Sequence, residues 1–193
     1  MINKIEAYFM KEMSEKAGRL AIFSLFLLIP NFGARIFFMF LLVVNMLPWD
    51  IRRKRFSSLM ALPYSYNQLF WISFLVMTAI NAATFLIGGA LGAGLFAISP
   101  TVLGMHLAGS LVFSTAYYAI SMICVTMGLD NFGIPFLILI ADLIFGGIGY
   151  KWSNPYFYIS PVHQGNTVYA ACLAVGLLAL AAYLFNKRGV SKI

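Results

Sequence analysis

Residues 69–98 read LFWISFLVMTAINAATFLIGGALGAGLFAI, a stretch of the chain without a single charged side chain. A helix needs about 20 predominantly apolar residues to cross the hydrocarbon core of a bilayer, so this stretch alone is long enough to span one. It lacks the regular alternation that a transmembrane β-strand requires. Because lipid offers the backbone no hydrogen-bond partners, the segment is predicted to be a membrane-spanning helix.

The rest of the chain has the same character. Of its 193 residues 62% are hydrophobic and 10% are charged, whereas a soluble domain typically carries about 25% charged residues. So few charges cannot cover a water-facing surface. Further apolar runs occupy 101–129, 132–150 and 166–185. The predicted fold class is therefore an all-α membrane protein, with residues 1–193 forming a single transmembrane domain.

The N-terminal residues 1–17 differ from the apolar runs. Ile2, Ile5, Phe9 and Met13 recur at helical spacing, and most of the charged side chains lie on the other side. This pattern predicts an amphipathic helix in the membrane interface. A frayed, solvated tail is the alternative.

Residues 18–49 contain two apolar runs that are too short for two comfortable crossings. Pro30, Asn31 and Gly33 separate them, together with the isolated Arg35. The segment is either a tight hairpin of two short helices or a single broken helix, and the turn-forming residues favour the hairpin. With the hairpin, the prediction is six transmembrane helices after an N-terminal interfacial helix.

The distribution of basic residues predicts the orientation. With the hairpin, Arg35 and Lys151 are the outer bases. The other eleven of the 13 bases lie inside: Lys4, Lys11, Lys16, Arg19, Arg52, Arg53, Lys54, Arg55, Lys187, Arg188 and Lys192. With a broken helix, the split is only seven against five, and Arg35 lies within the membrane. The positive-inside rule thus predicts that both termini are cytoplasmic and that 151–165 is an extracellular loop.

The one sizeable cytoplasmic loop is 50–68, DIRRKRFSSLMALPYSYNQ. Its consecutive bases are followed by apolar residues at helical spacing, and Pro63 ends the pattern. Two interpretations remain open from the residues alone. The loop either binds anionic headgroups and fixes the topology, or presents a short amphipathic helix to a soluble partner.

Within this loop, residues 55–66, RFSSLMALPYSY, resemble the segment after the second helix of type-2 ATP-binding cassette exporter permeases. Leu59, Leu62, Pro63 and Ser65 match the family pattern. Phe56 stands where that family usually has Gly, and Tyr66 where it usually has Arg. The layout of interfacial helix, six spans and cytoplasmic termini is also similar over the whole chain.

The resemblance implies a permease subunit of an ATP-driven exporter, without an active site of its own. Its partners would be a soluble ATPase subunit that binds ATP and Mg and a second permease copy or a homologue. In agreement, the chain contains no G-x-x-x-x-G-K-[ST] motif. The resemblance also implies which residues contact the ATPase: Arg52, Arg53, Lys54, Arg55, Phe56, Leu59, Met60, Leu62 and Pro63. No cofactor is expected in this chain, and the cargo would be hydrophobic or amphipathic, such as a peptide, drug or lipid.

Polar side chains within the predicted spans are candidates for a substrate path: Asn81, Thr84, Tyr117, Tyr118 and Asp142. Hydrogen bonding between helices explains the first four equally well. Asp142 is the single acid well inside a predicted span, and an intramembrane carboxylate is a functional candidate because burying it is costly. The alternative is an Asp that bonds a neighbouring helix.

Other functional classes are less compatible with the sequence. A stand-alone carrier or channel using Asp142 is the main alternative, although such carriers usually have several ionisable groups near the midplane. Enzyme motifs such as G-x-S-x-G and H-E-x-x-H are absent, and no metal site is predicted. The net charge of +7 comes from the loop clusters, so it does not indicate nucleic-acid binding.

Overall fold

The computed structural model describes residues 2–29, 31–53, 65–96, 99–148 and 154–188. Within these residues it has eight helices and no strand, which confirms the predicted all-α class. In chain order the helices are α1 (Ile2–Leu27), α2 (Phe32–Asn45), α3 (Leu47–Arg52), α4 (Tyr66–Phe96), α5 (Pro100–Thr126), α6 (Gly133–Ile148), α7 (Pro155–Ile159) and α8 (Thr167–Arg188).

Three of these helices, α4, α5 and α8, are long and apolar enough to cross a membrane. This property indicates a multi-pass membrane protein. The apolar helices α2 and α6 have 14 and 16 residues. At 1.5 Å per residue they measure about 21 and 24 Å, less than the roughly 30 Å of a bilayer core. Helices α4, α5, α6 and α8 begin and end within three residues of the predicted bounds.

Helix α1 differs from the sequence prediction. An interfacial helix over 1–17 and a separate hairpin from residue 18 were expected, whereas one continuous helix runs from Ile2 to Leu27. No proline interrupts the chain near residue 18, and Gly18 lies within the continuous helix. Charged pairs one helical turn apart, Lys11–Glu15 and Glu12–Lys16, further stabilise the helix in its N-terminal half.

The segment 28–31 separates α1 from α2, and the two helices pack against each other. Asn31 caps α2, since its side chain accepts a hydrogen bond from the backbone N–H of Ala34 at 3.1 Å. Because the helix begins at Phe32, Arg35 lies in its first turn. The prediction placed Arg35 in an outer loop, but its side chain is fully buried in the bundle.

Helix α5 lies at the centre of the bundle and contacts α2, α3, α4, α6 and α8. In its most apolar stretch 67% of the residues are buried, against 33% in α8, which leaves most of α8 facing outward. Around α5 the core is aromatic, and Tyr117 packs against Phe113 and Phe40 with ring centroids 4.5 and 6.1 Å apart.

A capped turn joins α5 to α6. Gly128 adopts a positive φ of 81°, which glycine tolerates without strain. The carboxylate of Asp130 then accepts hydrogen bonds from the backbone N–H groups of Gly133 and Phe132. These bonds, the one from Gly133 first, lower the pKa of Asp130 because they favour its charged form. Asp130 therefore supplies an acceptor to backbone N–H groups at the start of α6.

The close approach of α1 and α4 at Gly88 provides a first test of this packing. A Cβ added at Gly88 would collide with the backbone carbonyl of Leu28, so Gly88→Ala should destabilise the protein by about 1–3 kcal/mol. Gly176→Ala in α8 is the matched control, since a Cβ there meets nothing within 4 Å. Thermal unfolding of the purified variants in detergent measures both, and equal midpoints would contradict this packing.

Candidate functional site

The residues predicted to contact an ATPase lie mostly outside the described part of the chain. Arg52 ends α3 and Arg53 follows it, and both are exposed. The remaining seven, namely Lys54, Arg55, Phe56, Leu59, Met60, Leu62 and Pro63, lie outside the described residues. In the chain, the segment that carries them connects the end of α3 to the start of α4.

Contacts between distant parts of the chain define one end of the bundle, here called the basic end. Lys11 and Lys16 of α1 bind Asp50 of α3. Near the start of α4 and the end of α8, Asn186 donates a hydrogen bond to Asn67 at 3.3 Å. Close to the α5–α6 turn, Arg52 lies 3.9 Å from Asp130. Both ends of the described chain and both ends of the predicted cytoplasmic loop therefore meet at this end.

A buried ion cluster joins α1 to α3 at the basic end. The Asp50 carboxylate accepts from Lys11 Nζ and Lys16 Nζ, each at 2.9 Å, and Lys16 also pairs with Glu12 at 2.8 Å. Glu12, Lys16 and Asp50 are at most 3% exposed. Lys16 further donates to the carbonyl oxygen of Asn45 at the end of α2. Because buried charges require partners, the cluster fixes α3 against α1.

A second buried charge, Arg35, lies where α1, α2 and α4 meet. Its guanidinium donates to the carbonyl oxygen of Leu27, at the C-terminus of α1, and to Asn81 Oδ1 at 3.0 Å. It also lies over the Phe85 ring, 4.8 Å from the centroid. Within the described residues it pairs with no carboxylate. A helix C-terminus, an amide oxygen and an aromatic face supply negative potential in its place.

Asn81 extends this network to α5. Its Nδ2 lies within 3.2 Å of the hydroxyl oxygens of both Ser110 and Ser114, in hydrogen-bonding geometry. Thr84, one turn further along α4, donates to the carbonyl oxygen of Ile80 in its own helix. These two predicted path residues are therefore engaged in contacts within and between helices.

Asp142 is the centre of a third buried network. Its carboxylate accepts hydrogen bonds from Tyr117 at 3.0 Å, Tyr156 at 2.9 Å and Ser160 at 2.6 Å. It is 2% exposed and has no basic partner within the described residues. Burial, followed by the charge of Asp142, raises the pKa of the Tyr156 phenol, which therefore remains a proton donor. Three hydroxyl groups thus solvate one carboxylate.

The Asp142 network also holds the predicted extracellular loop against α6. Tyr156 and Ser160 come from the loop, and His163 Nε2 lies 3.0 Å from the carbonyl oxygen of Leu143. Gln164 donates from its side chain to the carbonyl oxygen of Gly109 on α5. The loop over 154–165 is accordingly tied to both α5 and α6.

The five predicted path residues do not form one site. Asn81 and Thr84 belong to the Arg35 network, Tyr117 bonds Asp142, and Tyr118 donates to the carbonyl oxygen of Phe70 at 3.1 Å. Two apolar grooves of about 580 and 660 Å³ are lined by other residues, between α1 and α4 and between α5 and α8. In the part of the chain that the structure describes, no three His, Cys, Asp or Glu side chains could hold a metal ion.

Sequence reasoning did not identify Arg35, Asp50, Tyr156 or Ser160 as site residues. The signal for Arg35 was available, because it is the isolated base in an apolar run. The signal for Asp50 was its position, because one residue separates this acid from four consecutive bases. Tyr156 and Ser160 carried no signal, since hydroxyl side chains are ordinary in an interfacial loop.

Compared with protein-family models, curated proteins and solved structures, the chain matches none. The functional argument therefore depends on its own sequence and geometry.

The ion cluster predicts that Asp50→Asn is strongly destabilising. Removing the Asp50 charge leaves Lys11 and Lys16 with less negative charge nearby than their own positive charge requires. Breaking a buried pair in this way lowers the free energy of unfolding by about 3–5 kcal/mol. Asp130→Asn is the matched control, because its partner Arg52 is exposed and Asn is also a good N-cap. Thermal unfolding in detergent compares the two, and a small shift for Asp50→Asn would show that the cluster contributes little.

The Asp142 network predicts a loss of stability for Ser160→Ala. A hydrogen bond to a charged group contributes about 1.5–3 kcal/mol, and the Ser160 hydroxyl also accepts from the backbone N–H of His163. Ser14→Ala is the control, since that hydroxyl is exposed and donates to a carbonyl oxygen of its own helix. Limited proteolysis within 154–165 should accelerate in Ser160→Ala only. Equal proteolysis rates would contradict the role of Ser160 in holding the loop.

Proposed function

We propose that this chain is the membrane-spanning permease subunit of an ATP-driven exporter. It would lie in the cytoplasmic membrane as a six-helix bundle with both termini in the cytoplasm. The three apolar spans support this proposal. So does the gathering of α1, α3 and the beginning of α4 at the basic end, because cytoplasmic surfaces carry an excess of Lys and Arg.

The observation that carries the proposal is the attachment of the predicted coupling loop to the bundle. The predicted loop 50–68 begins within α3, and α3 is bound to α1 by the buried Asp50 cluster. A force that a soluble partner applied at Arg52 or Arg53 would therefore reach α1 through these ion pairs. Alternating access requires such rigid connections, because interfaces between packed elements switch between discrete arrangements.

The mechanism under this proposal is mechanical, and the chemistry takes place on the partner. A separate ATPase subunit binds and hydrolyses ATP with Mg. Two permease chains, identical or homologous, form the path for a hydrophobic or amphipathic cargo. The loop residues Arg52–Pro63 dock on the ATPase and transmit its motion to α3.

A stand-alone carrier is the second candidate, and the buried Asp142 favours it. A carboxylate without a basic partner within the described residues can exchange its hydrogen bonds for a proton or a cation. Only one such group is present among the candidate path residues, which supports the exporter over this alternative. Transport by a carrier would be abolished by Asp142→Asn and would require no ATPase.

Co-purification tests the exporter proposal. The tagged chain is isolated in mild detergent from its native cells, and soluble co-purifying proteins are identified by mass spectrometry. We expect a stoichiometric ATPase with a Walker A motif, lost in the double variant Leu59→Asp, Leu62→Asp because buried interface leucines do not tolerate charge.

Ile159→Asp is the matched control, since it makes the same kind of change on the exposed outer helix α7. This variant should retain the ATPase. A chain that purifies alone would contradict the exporter proposal. An ATPase that remains bound to the double variant would contradict the assignment of the coupling loop.

A further inference from the structure

Two arginines lie over one tryptophan at the basic end. The guanidinium of Arg19, on α1, is 4.9 Å from the centroid of the Trp49 ring, and that of Arg53 is 4.2 Å from it. Both groups are favourably placed over the electron-rich ring. Such stacking also brings two positive charges into the same neighbourhood, where they repel each other unless an anion is present.

The acceptors in this neighbourhood do not match the donors. Arg19 donates to the amide oxygen of Asn45 at 3.2 Å. Within the described residues neither Arg19 nor Arg53 forms an ion pair, because Asp50 is bound by two lysines and Asp130 lies near Arg52. The buried indole N–H of Trp49 has no acceptor there either. This cluster of donors lacks an anionic group with several oxygens.

The surface above Arg19 is apolar. Ile22 and Phe26 follow Arg19 at helical spacing on the same face of α1 and are 54% and 42% exposed. Phe26 stacks on Phe38 of α2 with ring centroids 4.4 Å apart, which continues the apolar surface across both helices. Since the α1 C-terminus contacts Arg35, far from the basic end, this surface runs from the arginines into the bundle's membrane region.

We infer that Arg19, Trp49 and Arg53 form a binding site for the phosphate headgroup of an anionic phospholipid, with an acyl chain along Ile22 and Phe26. Phosphate oxygens match planar guanidinium groups, which donate two parallel hydrogen bonds. Tryptophan and arginine are typical of the membrane interface, and basic pockets between helices there bind acidic headgroups. The inference requires only that the bundle lies in a bilayer, so it is independent of the proposed ATPase partner.

Native mass spectrometry of the detergent-purified chain tests this site. The protein is titrated with phosphatidylglycerol and, separately, with phosphatidylcholine of the same acyl chains. The wild type should prefer phosphatidylglycerol. Arg19→Gln and Arg53→Gln should each lower the affinity for phosphatidylglycerol by about fivefold, because each base near the surface contributes about a fivefold increase in affinity. The double variant should lower it by about thirtyfold.

Lys187→Gln is the matched control. Lys187 also lies over an aromatic ring, 5.5 Å from the Tyr183 centroid, but no second base of the described chain lies over that ring. Its loss should leave the lipid preference within twofold of the wild type. Arg53 is exposed, so Arg53→Gln remains informative even if Arg19→Gln unfolds the chain.

Inorganic phosphate separates a lipid site from a free-phosphate site. Stabilisation against heat by phosphatidylglycerol, with none from inorganic phosphate at the same concentration, would support the inference. Equal stabilisation by the two, or a preference for phosphatidylglycerol unchanged in the double variant, would overturn it.

Discussion

Charged groups buried at the depth of the hydrocarbon core need partners inside the protein, because hydrocarbon supplies none. Arg35 shows what this constraint requires. Its charge is fully buried, and the contacts that compensate it come from the end of α1, from Asn81 on α4 and from the Phe85 ring. Asn81 in turn binds two serines of α5. One side chain thereby fixes the relative positions of four helices.

Two other buried networks follow the same rule in different parts of the fold. At the basic end the Asp50 carboxylate is matched by ammonium groups, and α1 and α3 form one unit. Away from the basic end the Asp142 carboxylate is matched by hydroxyl groups from α5 and from the loop that contains α7. The Asp50 cluster therefore needs opposite charges on α1 and α3, whereas the Asp142 carboxylate is held by neutral hydroxyl donors.

The sequence predicted the helices well because their signal is local. The length of an uncharged run such as 69–98 predicts the length of the helix, and the structure has α4 over Tyr66–Phe96. It could not predict the continuity of α1, since amphipathic and apolar stretches can share one helix when no residue breaks it. Nor could it predict the partners of Arg35 or Asp142. Those depend on how each helix is rotated about its axis, and rotation follows from packing between residues far apart in the chain, such as Arg35 and Asn81.

Under the proposed function, a switching motion would be transmitted along the ion pairs and hydrogen bonds that join the helices. Helix α3 is bound to α1 by buried ion pairs, and α6 is bound to the loop over 154–165 and to α5 through Asp142. Between these two groups Phe40 of α2 packs against Tyr117 of α5, Asn131 donates to the carbonyl oxygen of Val44, and Arg52 lies 3.9 Å from Asp130. Apolar contacts are non-directional, so surfaces joined only by them can slide with little loss of free energy. Helices joined by ion pairs or hydrogen bonds must move together. A force delivered at α3 would thus displace α1 and α3 together, and the Arg35–Asn81 network would carry that displacement to α2, α4 and α5.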